Sequence, residues 1–188
     1  MLVDDGGAGT SSPWENSPVP PEHQIRGLGP IVLTVQDLAR TALVLTDIMN
    51  MRRVRDYAAH GADIHVFAMG EGGPAAELHV LEARDLAGAR QGAGGVHHVA
   101  FRTPDETQYH AWTARLNELR IPNSGEIDRF YFRSLYFREP NGILFEIATD
   151  GPGFATDEPM ETLGEKLALP PFLEGRRKEI EAGLKAIG

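Results

Sequence analysis

The sequence lacks cysteine altogether, and this absence excludes several kinds of chemistry. With no cysteine among its 188 residues, the chain can form no disulfide, no thiolate zinc site and no iron–sulfur cluster, and it has no cysteine nucleophile. A chain of this length does not need such cross-links, because a single domain of its size can bury a sizeable apolar core.

Basic residues and long apolar runs are also scarce. The 18 Lys and Arg stand against 27 Asp and Glu, so the formal net charge is −9. Nucleic acids and anionic membranes are bound through basic patches, and we therefore expect the chain to bind neither. No apolar run approaches the roughly 18–20 residues of a membrane span, and Met1 to Asp5 do not resemble a signal peptide. These features predict a soluble, cytoplasmic protein.

An internal repeat organises most of the chain. The stretch GLGPIVLTVQD, which begins at Gly27, resembles GVHHVAFRTPD, which begins at Gly95. In each copy a strand precedes an amphipathic helix, and three strand-like runs follow. The runs are 53–58, 63–68 and 77–82 in the first copy, and 127–132, 134–137 and 143–149 in the second. The predicted fold class is α+β, with two βαβββ modules that form a curved, mixed-sheet cup.

Composition places the boundaries of these modules. Residues 1–26 are rich in Gly, Ser and Pro and predict an N-terminal arm or linker. The domain is expected over 27–155, with modules at 27–90 and 95–150. Residues 156–188 are predicted to form a polar helical tail, with helices near 157–167 and 173–187 that are separated by Pro170 and Pro171. We interpret this tail as a packing or oligomerisation element.

Strand alternation selects two residues with possible metal chemistry. In the strand near Val99 the apolar Val99 and Phe101 face the helix, which leaves His98 on the concave face. In the last strand Glu146 lies among apolar residues, and an acid there is costly to bury unless it is paired or binds a cation. A His and a carboxylate that converge in a cup suit a divalent metal. The alternatives are a hydrogen-bonded histidine and an ion pair of Glu146 with Arg102 or Arg138.

Longer motifs carry a family resemblance. GVHHVAFRTPD, RFYFRSLYFREPNG from Arg129 and ILFEIATDGPGF from Ile143 resemble the vicinal oxygen chelate superfamily, and within it the C-terminal half of ring-cleaving dioxygenases of the hydroquinone type. The resemblance implies that His98 and Glu146 are metal ligands and that Tyr136 donates a proton or hydrogen bond at the active site. It also implies orienting roles for Arg129 and His97. For His97 this requires a β-bulge, because alternation points its side chain to the other face.

The sequence departs from the family pattern in two places. In the first repeat the positions equivalent to His98 and Glu146 are expected to be Pro30 and, approximately, Val80, so that this half is interpreted as a scaffold. Family members also carry a third metal ligand, a histidine, in an N-terminal half that has no counterpart here. The remaining histidines are expected to be solvated: His23, His60, His65, His79 and His110. Either the chain is a fragment, or a partner chain or a homo-oligomer, such as a dimer, completes the site.

The resemblance implies an Fe(II)-dependent extradiol-type dioxygenase that degrades hydroquinone- or catechol-like aromatic compounds with O₂, or its C-terminal half. Mn, Zn, Ni and Co are alternative metals, because His and carboxylate ligands accept all of them. Two other functions share this fold: a metal-free small-molecule binding or resistance module, and a metal-dependent isomerase of the glyoxalase type. The aromatic ring is expected to contact some of Phe101, Phe130, Phe132 and Leu144.

Overall fold

The structure is a computed structural model, and it describes residues 4, 6–7, 13–59 and 61–185. The chain divides into two compact units. The first contains Met1–His97 with Glu139–Ile143, and the second contains His98–Arg138 with Leu144–Gly188. Each unit contains one four-stranded mixed sheet, which confirms the predicted α+β class.

The elements of the first unit are β1 (Ile31–Val35), α1 (Leu38–Leu43), β2 (Arg52–Ala59), β3 (Ala62–Ala68) and β4 (Glu77–Glu82). The strands lie in the order β1-β4-β3-β2, with β1 parallel to β4 and the other neighbours antiparallel. Asp37 caps α1, because its side chain accepts a hydrogen bond from the Arg40 amide at 3.1 Å. A π-helical segment, Val44–Ile48, continues α1 and supplies buried Val44 and Leu45.

The second unit repeats this topology. Its elements are β5 (Val99–Thr103), α2 (Glu106–Glu118), β6 (Ile127–Asp128), β7 (Arg133–Arg138) and β8 (Leu144–Thr149). The strands lie in the order β5-β8-β7-β6, with β5 parallel to β8. Helix α2 contacts β8 and contributes fully buried Tyr109 and Leu116, while Phe145 and Ile147 are the buried apolar side chains of β8. We call the side of this sheet that bears Phe145 and Ile147 its core face.

The strand registers correct the expected equivalence between the two repeats. In the first sheet Ile31 lies opposite Leu78 and Val32 opposite His79. In the second sheet Val99 lies opposite Phe145 and Ala100 opposite Glu146. The position equivalent to Glu146 is therefore His79. The expectation of Val80 was wrong by one residue, and a shift of one residue exchanges the two faces of a strand.

The predicted strand 127–132 ends early, at Asp128. The reason is Phe130, whose φ of 71° lies in the left-handed region, where a strand cannot continue. The Asp128 carboxylate stabilises this turn by accepting a hydrogen bond from the Phe130 amide at 2.7 Å.

The tail is less helical than expected. The region 157–167 contains only a short 3₁₀ turn, Met160–Thr162, in place of the predicted helix. The second predicted helix is a 3₁₀ segment, Pro171–Arg176, followed by α3 (Arg177–Gly183), and residues 186–188 lie outside the described part. Of the helices in the described residues, none has both the length and the apolar character that a membrane crossing requires.

Candidate functional site

Glu146 and Tyr136 lie opposite each other on β8 and β7. Because neighbouring side chains of a strand alternate between its faces, Glu146 points away from Phe145 and Ile147. We call this side of the second sheet the site face. The Tyr136 hydroxyl donates a hydrogen bond to Glu146 Oε1 at 2.8 Å. The Glu146 side chain is only 4% exposed, so its carboxylate is nearly removed from water and depends on such partners.

His98 completes a cluster with these two residues. It immediately precedes β5, and its Nε2 lies 2.6 Å from Glu146 Oε2. Its ring also meets the Tyr136 ring edge to face, with centroids 5.8 Å apart. The predicted convergence of His98 and Glu146 on one face is therefore present. Arg102, one alternative partner for Glu146, instead pairs with Asp150 through two contacts of 2.6 Å.

Arg129 lies against the same tyrosine. Its guanidinium carbon is 5.4 Å from the centroid of the Tyr136 ring, within the range of a cation–π interaction. Its Nε donates a hydrogen bond to Ser134 Oγ at 3.3 Å. These contacts place a permanent positive charge beside the phenol ring of Tyr136.

His97 is exposed, and its backbone carbonyl accepts a hydrogen bond from Gln91 Nε2 at 3.0 Å. The role that the resemblance implies for its side chain stays a prediction. Among the residues considered for an apolar lining, Leu144 shares the site face with Glu146 by strand alternation. Phe101 lies on the core face, where its ring contacts that of Phe145.

The cluster fits part of a metal site. An imidazole nitrogen and a carboxylate oxygen that converge on one point are donors for a divalent first-row metal, and one further histidine would make a facial triad. Within the described residues no group of three or more His, Cys, Asp or Glu side chains is arranged to hold a metal ion. His98 and Glu146 therefore fit as two ligands of such a triad, and a third donor is not supplied by this part of the chain.

A second polar cluster, which was not predicted from the sequence, lies in the first unit and contains His79. The expectation that His79 is solvated was wrong, because its side chain is only 8% exposed. A usable signal was present: Glu77 and His79 are alternate residues of one strand and so share a face. His60, for which the same expectation was made, lies outside the described residues.

Comparisons with known proteins agree with the resemblance found in the sequence. Residues 27–147 match the model of the Glyoxalase/Bleomycin resistance protein/Dioxygenase superfamily. The whole chain is 47% identical to MhqA of Bacillus subtilis (strain 168), a protein named as a ring-cleaving dioxygenase, and it covers 60% of that protein. It is 30% identical to the chlorohydroquinone/hydroquinone 1,2-dioxygenase of Sphingobium indicum, where 95% of this chain covers 55% of the relative.

A solved structure shows the same fold. The crystal structure of a Bacillus subtilis protein described as a dioxygenase matches 96% of this chain with a TM-score of 0.84 and 35% sequence identity, over 56% of its own length. The chain thus spans little more than half the length of the relatives that it matches.

Proposed function

The chain belongs to the Glyoxalase/Bleomycin resistance protein/Dioxygenase superfamily, and we propose that it carries part of the active site of a metal-dependent, ring-cleaving dioxygenase. The proposed substrates are hydroquinone- or catechol-like aromatics, together with O₂. The observation that carries this proposal is the cluster of His98, Tyr136 and Glu146 on one sheet face, in a chain whose relatives bear the names of ring-cleaving dioxygenases.

In this proposal His98 and Glu146 hold the metal, for which Fe(II) is our first choice. A bound Fe(II) supplies Lewis acidity toward the aromatic hydroxyl and the electron-transfer chemistry that the use of O₂ requires. The third protein ligand comes from a segment outside the given sequence, from another polypeptide or from a second copy of the chain.

Three other residues have proposed roles with protons, charge and substrate orientation. The Tyr136 hydroxyl fixes the orientation of the Glu146 carboxylate through its 2.8 Å hydrogen bond, and it is placed to donate a proton to a substrate held beside it. The Arg129 guanidinium, against the Tyr136 ring, stabilises negative charge that develops on the substrate oxygens. For His97 we propose the substrate-orienting role that the resemblance implies.

Metal binding tests the ligand assignment. We expect protein loaded anaerobically with Fe(II) and then desalted to retain iron, and we expect His98→Ala to lose it, because one of two donors is gone. His110→Ala is the matched control, since His110 Nδ1 lies 2.7 Å from Glu126 in an exposed His–Glu pair. Equal iron retention by His98→Ala and the parent protein would contradict the assignment.

Oxygen consumption tests the reaction. We expect the iron-loaded protein to take up O₂ when hydroquinone or catechol is added, and Tyr136→Phe to reduce the rate without loss of iron. Iron retention with no O₂ uptake on any dihydric phenol would contradict a dioxygenase. If neither the parent protein nor the His110 control binds metal, the metal-free binding module is favoured, because it needs no third ligand.

A further inference from the structure

Four connected polar side chains occupy one face of the first sheet. Glu77 and His79 are alternate residues of β4, and Arg55 and Tyr57 are alternate residues of β2. The registers across β3 place all four on the side opposite to the buried Leu78 and Val80. We call them the Tyr57 cluster. It lies wholly within the first unit, and the proposed dioxygenase chemistry does not use it.

The contacts form a chain that begins at the phenol. The Tyr57 hydroxyl lies 3.0 Å from His79 Nδ1, and His79 Nε2 lies 3.1 Å from Glu77 Oε2. The Arg55 guanidinium binds both oxygens of Glu77, at 2.6 and 2.7 Å. The side chains of His79 and Glu77 are 8% and 10% exposed, whereas Tyr57 is half-buried. A small molecule can therefore approach the chain of contacts at its two ends, Tyr57 and the 51% exposed Arg55, and of these two groups only the phenol can act as a nucleophile.

The charge on Glu77 decides how the protons are arranged. The paired hydrogen bonds from Arg55 lower the pKa of Glu77 to about 2, so near neutral pH the carboxylate only accepts hydrogen bonds. His79 Nε2 must then carry a proton and donate it to Glu77. In the neutral imidazole this leaves the lone pair on Nδ1, and the Tyr57 hydroxyl donates to it.

This order of groups is that of an activated nucleophile. A hydroxyl that hydrogen-bonds to an imidazole, which is in turn oriented by a carboxylate, defines the nucleophile, the base and the orienting group of a catalytic triad. We propose that Tyr57 is the nucleophile of a second site, where it accepts an acyl group from small aryl esters.

The chemistry of the phenol selects this class of ester. Transfer of an acyl group from an aryl ester to Tyr57 exchanges one phenolic oxygen for another and is nearly balanced, whereas an alkoxide is a much poorer leaving group. Val32 lies opposite His79 on the same face and is 44% exposed, which gives an aromatic leaving group an apolar contact.

The proposed step conserves atoms and electrons. Tyr57 Oη forms a bond to the acyl carbon as its proton moves to His79 Nδ1. The ester C–O bond then breaks, and the departing phenolate oxygen takes that proton. The product is O-acyl-Tyr57, which water can hydrolyse with His79 again acting as the base. No oxidant or reductant takes part.

The experiment uses 4-nitrophenyl acetate and the intact chain. We expect 4-nitrophenolate release together with the mass of one acetyl group on the peptide that contains Tyr57, faster than acetylation of N-acetyltyrosinamide under the same conditions. Tyr57→Phe should abolish this label. His79→Gln should slow it by on the order of 100-fold, the usual contribution of a general base.

Two matched variants control for general effects. Tyr131→Phe removes a hydroxyl that donates to Asp157, and His65→Gln removes an imidazole that contacts Asp56 on the other face of the same sheet. Both should leave the labelling of Tyr57 unchanged.

An acetylation rate for Tyr57 no higher than that of N-acetyltyrosinamide would overturn the proposal whether or not the His79 variant folds. An unchanged acetylation rate in a folded His79→Gln variant would also overturn it, because the Tyr57 cluster would then only connect β2 to β4 and would not activate the phenol. Iron and O₂ play no part in these measurements, so their outcome is independent of the dioxygenase proposal.

Discussion

Arg55 is the neighbour that most lowers the pKa of the Glu77 carboxyl group. Its paired hydrogen bonds to Glu77 are the largest cause of the pKa of about 2, against an ordinary value of 4.5, and the hydrogen bond with His79 lowers the pKa further. A carboxyl group with a lowered pKa stabilises the folded state fully above its unfolded pKa, and the contribution is lost as the pH falls toward the folded value. The pH window for this residue therefore runs from about 4.5 down to about 2.

This pH dependence predicts how Arg55→Gln changes stability. The lowered pKa of Glu77 can contribute at most roughly 3 kcal/mol to the free energy of unfolding. Because the Arg55 side chain is 51% exposed, we expect Arg55→Gln to lower the free energy of unfolding by about 1–2 kcal/mol at pH 7. Urea unfolding of both proteins measures it, and the difference should shrink as the pH is lowered below 4.5.

Arg102→Gln is the comparison for this prediction. Arg102 also binds a carboxylate, that of Asp150, through two contacts, but its side chain is 78% exposed. Its removal should lower the free energy of unfolding much less than the removal of Arg55 does, as for other surface ion pairs. A loss for Arg55→Gln that does not change with pH would show that Arg55 acts through packing and not through the charge of Glu77.

At the scale of single elements, the start of helix α2 is set by one side chain, that of Asp105. Thr103 is the last residue of β5 and is 1% exposed. Asp105 is the cap, because its carboxylate accepts a hydrogen bond from the Gln108 amide at 2.8 Å. A carboxylate here also interacts favourably with the positive end of the helix dipole.

The cap can be tested directly. We expect Asp105→Ala to lower the free energy of unfolding by about 1 kcal/mol, since one amide at the start of α2 loses its partner. Asp105→Asn keeps a side-chain oxygen and should lose less. Thermal or urea unfolding of the three proteins separates these outcomes, and equal stability of the Ala variant and the parent protein would exclude a capping role.

At the scale of the whole molecule, the turn between β7 and β8 is counted with the first unit. Its Glu139 is 2% exposed and accepts hydrogen bonds from the Thr41 hydroxyl at 2.7 Å and from the Ile143 amide at 3.0 Å. Asn141 adds a hydrogen bond to the Asp37 carbonyl at 3.0 Å. The turn is therefore bound to the start of α1, nearly a hundred residues earlier in the chain.

Removal of this carboxylate should be costly. We expect Glu139→Ala to reduce the free energy of unfolding by about 2–3 kcal/mol, because it leaves buried donors without partners. Glu139→Gln retains one acceptor oxygen and should be affected less. Chemical denaturation followed by circular dichroism measures both variants. A loss below about 0.5 kcal/mol in the Ala variant would mean that water replaces the carboxylate.

The sequence by itself determined the features that depend on local periodicity. The alternation of apolar residues predicted β4 at the bounds that the structure has, and it placed His98 and Glu146 on one side of the second sheet. The resemblance added Tyr136 and Arg129, which the structure brings to that same cluster. Side-chain alternation needs no knowledge of distant residues, because it follows from the geometry of a single strand.

Tertiary structure alone decided the features that depend on distant pairing. The register of β1 against β4 places His79, and not Val80, at the position equivalent to Glu146. The hydrogen bonds that bury Glu139 join it to Thr41, 98 positions away. Register and burial are set by which segments meet in the folded chain, and a shift of one residue exchanges the two faces of a strand. Local patterns can therefore suggest which residues share a face, but not which residues of another strand they meet.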